Sequence, residues 1–285
     1  MSTIAPLELT PPYLQTGGLS RYATTAWGDD EVVEEVPAPK KNGFEYSLLT
    51  KCIAEFLGDF TFVFVGTMQA YVTTNVDTKV IDDNILHAAL THGFAIFLLV
   101  AGLGHISGGH FNPAVSWAIT MLGKMPYYHF PCYMASQLLG GFCGALMTAL
   151  IMTNDELKST YAGATLLNPH NHWWQGLISE AVVTFFLCHT ILLTAVDTDK
   201  NVLAPLAIGL TLSIDILATG DITGASMNPA RSLGPNIVGQ IFIPKDVPIN
   251  FWNWHYIYWA GPFVGATVAA IIHKLFEQRE GRLLR

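Results

Sequence analysis

The sequence predicts an all-α membrane protein with six transmembrane helices and two re-entrant half-helices in an inverted 3+3 repeat. Three observations carry this. The chain is 51% hydrophobic and only 13% charged, with a mean hydropathy of +0.37, whereas a soluble domain carries about a quarter charged residues. Six apolar stretches are long enough to cross a bilayer, which takes about 20 residues as helix. A ten-residue segment recurs without gaps in the second half of the chain.

Taken in order, residues 1–45 are polar, contain proline and are acidic at Glu31, Glu34 and Glu35. They lack the early apolar core of a secretory signal and read as a flexible cytosolic tail. Residues 46–276 form the membrane domain, with repeat one at 46–155 and repeat two at 172–276, and 277–285 form a second cytosolic tail. The spans run near 48–72, 86–106, 127–153, 173–196, 203–220 and 252–274, the fifth being the shortest. Polar turns separate them at Asp77–Asn84, Asn154–Lys158, Asp197–Asn201 and Pro244–Asn250. Two more apolar segments, near 112–122 and 228–239, are too short to span. Their matching places in the two halves suggest half-helices that enter the membrane and turn back.

Charge sets the orientation. Six crossings put both termini on one side, which then carries ten basic residues, among them Lys40, Lys41, Lys124, Lys200 and Lys274. The other side has only Lys79, Lys158 and Lys245, so the positive side, with both termini, is cytosolic. The net charge of −8 argues against a nucleic-acid partner. Cys52, Cys132, Cys143 and Cys188 show no paired spacing, so neither a zinc site nor a disulfide framework is indicated. No metal or cofactor is expected. The chain has no His-Glu-x-x-His, and nothing points to an enzyme.

The repeat aligns residues 105–114 with 221–230, an offset of 116 that carries Asn112 onto Asn228. The same offset pairs Gly93 with Gly209, while Glu55 and Glu180 each lie early in the first span of their half. Three spans per copy means that the second inserts upside down, which places a shared site near the midplane. At each box, Asn is a preferred helix N-cap and the following Pro is favoured in the first turn. Asn112-Pro113-Ala114 and Asn228-Pro229-Ala230 therefore read as two helix starts meeting at the centre. Capping uses the carboxamide oxygen and leaves the amide NH₂ free to donate into a lumen. Both helix dipoles present their positive ends there.

The segments Ser107–Ala114 and Asn228–Ser232 resemble the two signature loops of the aquaporin (major intrinsic protein) family, and Tyr258-Trp259 before Gly261-Pro262 is similar to the water-channel ending of its last span. The resemblance covers about residues 48–275 and is nearest to the ammonia-permeable, vacuolar-type branch. It implies a passive channel for water and small neutral solutes such as ammonia or hydrogen peroxide. Protons and ions would be excluded by the half-helix dipoles and an Arg. It also implies a homotetramer with one pore per subunit, in the plasma membrane or an intracellular membrane. A non-conducting junction or scaffold protein on the same fold is the alternative. Gly140/Gly144 and Gly261/Gly265 have the spacing that permits close helix contact. Glu55 and Glu180 resemble the family's buried glutamates, which hold the re-entrant loops.

The resemblance places the selectivity constriction at His92, Ile216, Ala225 and Arg231. An Arg inside a membrane is costly and nearly always functional. His92 on its own apolar face reads as a core histidine, and the resemblance makes it pore-lining. Strict water channels of the family carry Phe and His where this chain has His92 and Ile216, so a wider, more apolar constriction is expected. Ser232 stands where the family's glycerol channels have Asp, which argues against glycerol. His110 is expected near the cytosolic vestibule, and His170 and His172 in an interfacial loop beside Trp173 and Trp174. Asp215, a charge in a short span, has two placements open: against a neighbouring helix or beside a polar loop.

Overall fold

The structure, a computed structural model, describes residues 45–74, 84–197 and 201–283. The tail at 1–44, Lys79 in the first polar turn, Lys200 and Arg285 lie outside the described residues.

Nine α-helices follow in order among these residues: α1 Leu48–Thr74, α2 Asn84–Ser107, α3 Pro113–Met121, α4 Phe130–Ile151, α5 Asn154–Ser159, α6 Trp173–Ile191, α7 Ala204–Thr223, α8 Pro229–Phe242 and α9 Ile257–Leu283. Five helical stretches are long and apolar enough to cross a membrane: Ile85–Ser107, Tyr127–Ile151, Trp173–Val196, Ala204–Thr223 and Ile257–Phe276. The sixth long helix is α1, with 27 residues. It is less apolar because Glu55, Asp59 and Gln69 lie along it, all of them buried. The two short segments form α3 and α8, each with its Asn as N-cap and Pro in the first turn.

The boundaries differ from the sequence reading in instructive ways. The fifth span does not stop near 220: α7 continues through polar Asp221 to Thr223 and ends on Gly224, whose φ of +83° supplies the left-handed C-cap. The expected turn at Asn154–Lys158 is instead α5, started by a capping box in which Thr153 and Glu156 satisfy each other's backbone N–H groups. The sixth helix begins at Ile257, after a series of turns, rather than near 252.

Packing follows the repeat. α1 packs chiefly on α4, α6 on α9, and α2 on α7 across the junction of the two halves. At that junction a Cβ on Gly93 would lie 2.6 Å from the Gly209 carbonyl oxygen, and one on Gly209 would lie 2.5 Å from the Gly93 oxygen. The reciprocal contact marks where the pseudo-twofold axis passes. Gly140 and Gly144 bring α4 against the α1 backbone, and Gly261 and Gly265 bring α9 against α6. The lipid-facing side is apolar, with Phe94, Leu98, Leu150, Ile178 and Ile214 more than half exposed. These residues suit a bilayer as surrounding solvent.

Candidate pore and constriction

Each re-entrant loop folds around a buried carboxylate. In the first, Gly108, Gly109 and Phe111 have φ of +101°, +67° and +45°. Left-handed residues in succession turn neighbouring N–H groups to one side and create an anion-binding concavity. Glu55 fills it, fully buried. It accepts from His110 N at 3.0 Å, Phe111 N at 2.7 Å, Ser107 Oγ at 2.6 Å and Gln137 Nε2 at 2.8 Å. In the second loop Gly224, Ala225 and Met227 have φ of +83°, +44° and +54°. Glu180 accepts from Ser226 N at 2.9 Å, Met227 N at 2.8 Å and Thr223 Oγ1 at 2.6 Å. The loop donors pair one for one at the 116-residue offset, whereas Gln137 has no counterpart: 125 residues on, the separation of Glu55 and Glu180, stands Pro262.

Two tyrosine hydroxyls complete these cradles, Tyr133 unmarked in the sequence reading and Tyr258 present there only within the Tyr258-Trp259 motif. Tyr133 donates its hydroxyl to the Ser107 carbonyl at 2.8 Å, and Tyr258 donates to the Thr223 carbonyl at 2.9 Å. Tyr133 and Tyr258 stand 125 residues apart, as do Glu55 and Glu180. That shared offset was the available signal.

The two boxes meet as the repeat requires. Asn112 Oδ1 accepts from Ala114 N at 2.8 Å, and Asn228 Oδ1 accepts from Ala230 N at 2.9 Å. The expectation of fully free amide NH₂ groups needs correction. Asn112 Nδ2 donates to the Met227 carbonyl and Asn228 Nδ2 to the Phe111 carbonyl, both at 2.7 Å. Each amide thus ties its own box to the opposite loop, because Phe111 and Met227 turn their carbonyls toward the centre. One N–H of each amide is committed in this way. Pro113, Ala114, Pro229 and Ala230 are buried in the first turns of α3 and α8.

Asn112 and Asn228 line a narrow cavity together with His110 and Ser226. Its opposite wall is apolar and includes Phe62, Ile96, Val100, Leu187 and Leu212. The volume of about 20 Å³ exceeds the roughly 10–15 Å³ that one water needs. His110 lines the cavity with its Nδ1 3.0 Å from Ser116 Oγ.

Of the four residues of the expected constriction, His92 stands on α2, Ile216 on α7, Ala225 in the second loop and Arg231 in the first turn of α8. Arg231 donates from Nη1 to the Gly163 carbonyl at 3.1 Å, and its own N–H reaches Asn228 Oδ1 at 3.4 Å. Ile216 and Ala225, at most 4% exposed, share one apolar cluster with Phe62 and Met227. His92 packs edge-on against Phe62 at 5.4 Å between ring centres and lies within electrostatic reach of Arg231. Its Nδ1 donates to the Ala88 carbonyl at 2.8 Å, and Nε2 has no partner among the described residues. The ring rests over Gly66, where a Cβ would lie 2.4 Å from Nε2. Gly66 had no visible role in the sequence.

Beyond Arg231, a cavity of about 480 Å³ opens between the 161–169 loop, the end of α7 and the start of α9, lined in part by Asn168, Asp221, Trp254 and His255. Burial pushes the His255 imidazole down to about 4. On the same face Tyr71 donates to Glu156, which holds that carboxyl below the usual range. His172 heads α6, its N–H donating to Gln175 at 2.8 Å and its ring stacked on Trp174. Asp215 is buried and faces α6 within electrostatic reach of Cys188, the first of its two placements.

Residues 44–273 match the family model described as Major intrinsic protein. Among curated relatives, the chain is 34% identical over 227 residues to Aquaporin-8 of Notomys alexis, covering 79% of this chain and 81% of that protein. It is 36% identical over 228 residues to Aquaporin TIP1-2 of Musa acuminata, covering 78% and 84%. Among solved structures, the aquaglyceroporin from Plasmodium falciparum superposes with a TM-score of 0.66 at 27% identity, covering 80% of this chain and 96% of that one.

Proposed function

Because the chain belongs to the major intrinsic protein family, the aquaporins, we propose that it conducts ammonia as well as water while excluding protons and ions. Family membership makes it a passive channel in a membrane rather than an enzyme. The observation that carries the water reading is the junction of the two boxes, where two helix N-termini and two Asn amides face one narrow cavity. Two dipole ends raise the potential against cations and protons, and amide donation at the boxes offers a passing water a hydrogen bond in exchange for one it leaves behind.

The ammonia reading rests on His92 and Ile216. Water and ammonia are similar in size and dipole, so size alone does not separate them. A strict water filter demands several hydrogen bonds at once. With Ile216 one wall makes none, and His92 lies back over Gly66 instead of filling the opening as a larger ring would. Arg231 then holds ammonium and other cations away. Hydrogen peroxide, also small and neutral, meets the same walls. Both termini face the cytosol on the positive-inside argument, in the plasma membrane or an intracellular one, and the assembly is a homotetramer with residues 46–276 as its channel domain.

The test uses purified protein in lipid vesicles. Osmotic shrinkage should be several-fold faster than in empty vesicles, and an internal pH dye should report faster alkalinisation when ammonia is added. Shrinkage no faster than in empty vesicles would support a scaffold role; fast shrinkage without extra alkalinisation would leave a channel for water without ammonia.

A further inference from the structure

The two halves differ at one buried position beside the centre. Asp59 lies one helical turn after Glu55, and its counterpart at the 125-residue offset, Thr184, lies one turn after Glu180. Both side chains are fully buried, and both sit against a glycine of the neighbouring span, Asp59 against Gly140 and Thr184 against Gly265. Their hydrogen bonding is not alike. The Thr184 hydroxyl has no partner among the described residues. Asp59 Oδ1 lies 3.4 Å from Asn228 Nδ2.

A primary amide has two N–H donors. Asn228 uses one on the Phe111 carbonyl and directs the other to Asp59. Asn112 uses one on the Met227 carbonyl, and among the described residues its second donor meets no protein acceptor. We propose that Asp59 is a specificity-determining residue: by accepting the second N–H of Asn228, it leaves Asn112 as the one box amide that donates to a solute at the centre.

The consequence follows from lone pairs. Water has two and can accept from both amides together. Ammonia has one, so a centre with two free donors leaves one of them unmet whenever ammonia passes. A centre with a single free donor serves the two molecules alike. Asp59 thereby removes a barrier that would single out ammonia, and it weakens the hold on water in single file. The inference rests on the proposed channel reading. What matters is an acceptor oxygen at this reach rather than a charge.

The test compares Asp59→Thr, which copies the other half, with Asp59→Asn, which keeps an acceptor oxygen at the same reach. Both are reconstituted as the full chain in vesicles at matched protein density. Asp59→Thr should lower water permeability per channel about twofold and the ammonia-to-water ratio about fivefold, the equivalent of one ordinary hydrogen bond. Asp59→Asn should stay on the wild-type side of both differences. The converse variant Thr184→Asn should draw in the Asn112 amide and speed water. If Asp59→Thr fails to fold, this variant decides in its place. Water permeability unchanged in both Asp59→Thr and Thr184→Asn, or altered in Asp59→Asn as much as in Asp59→Thr, would overturn the proposal. Slowed water in Asp59→Thr, with no ammonia flux even in the wild type, would sustain the role of Asp59 and remove the ammonia reading. Ammonia flux in the wild type, with water unchanged across the set, would do the reverse.

Discussion

At the scale of single residues, function turns on which polar groups are left unmet. Arg231 satisfies one N–H of its guanidinium on the Gly163 carbonyl, the one acceptor that its guanidinium meets among the described residues. Arg231→Val should therefore keep water flow and admit larger or cationic species, read as guanidinium or sodium leak into vesicles. Unchanged exclusion would place the barrier on the half-helix dipoles alone. At the facing wall, the paired change His92→Phe with Ile216→His should lower the ammonia-to-water flux ratio several-fold; a constant ratio would mean that these positions do not set selectivity. The sequence could name Arg231, His92 and Ile216 only through the family resemblance. It gave no sign of Gly66, because a glycine in an apolar helix looks the same whether it receives a neighbouring ring or not. Nor did it show that the Asn amides reach across to Phe111 and Met227, since a hydrogen bond between loops 115 or more residues apart leaves no local pattern.

At the scale of elements, a buried carboxylate acts as the core of each loop. A fully buried charge is tolerated only when its oxygens are supplied with donors. Glu55 has four and Glu180 three. Replacing either with Gln turns one acceptor into a donor facing N–H groups, and losing bonds to a charged group costs about 1.5–3 kcal/mol each. Glu55→Gln and Glu180→Gln should each lower the thermal stability of the purified channel by at least about 3 kcal/mol, with Glu55→Gln the more damaging. Well-folded protein with increased proton leak would instead make the glutamates proton carriers. The half-helices were legible because Asn-Pro is both cap and first turn. The six spans were legible because apolar length is a direct requirement of the bilayer. The ends were less so. α7 runs past Gly220 into polar sequence because the start of the second loop, not the membrane edge, stops it. α5 was readable in Thr153-x-x-Glu156 but was hidden by the polar composition that usually means a turn.

At the scale of the whole molecule, two halves are joined by a crossing that leaves no room. Gly93→Ala or Gly209→Ala would put a methyl group about 2.5 Å from a facing carbonyl oxygen, and backbone cannot yield as a side chain can. Overpacking of this kind typically costs about 1–3 kcal/mol. Each variant should show a lower melting temperature and slower water flow; native values for both would mean that the halves can slide apart without loss. Internal symmetry made the architecture legible from a single chain, whereas its departures, such as Gln137 opposite Pro262, acquire meaning only once the partners are seen. Gln137 gives Glu55 a side-chain donor from a third helix, α4, while Glu180 is held by its own loop alone. Local opening free energies vary across a protein with such anchoring. Deuterium uptake should therefore reach the amide of Met227 before that of Phe111, so that on a slow timescale the mirrored halves breathe out of step, the second loop loosening first while the first holds its shape.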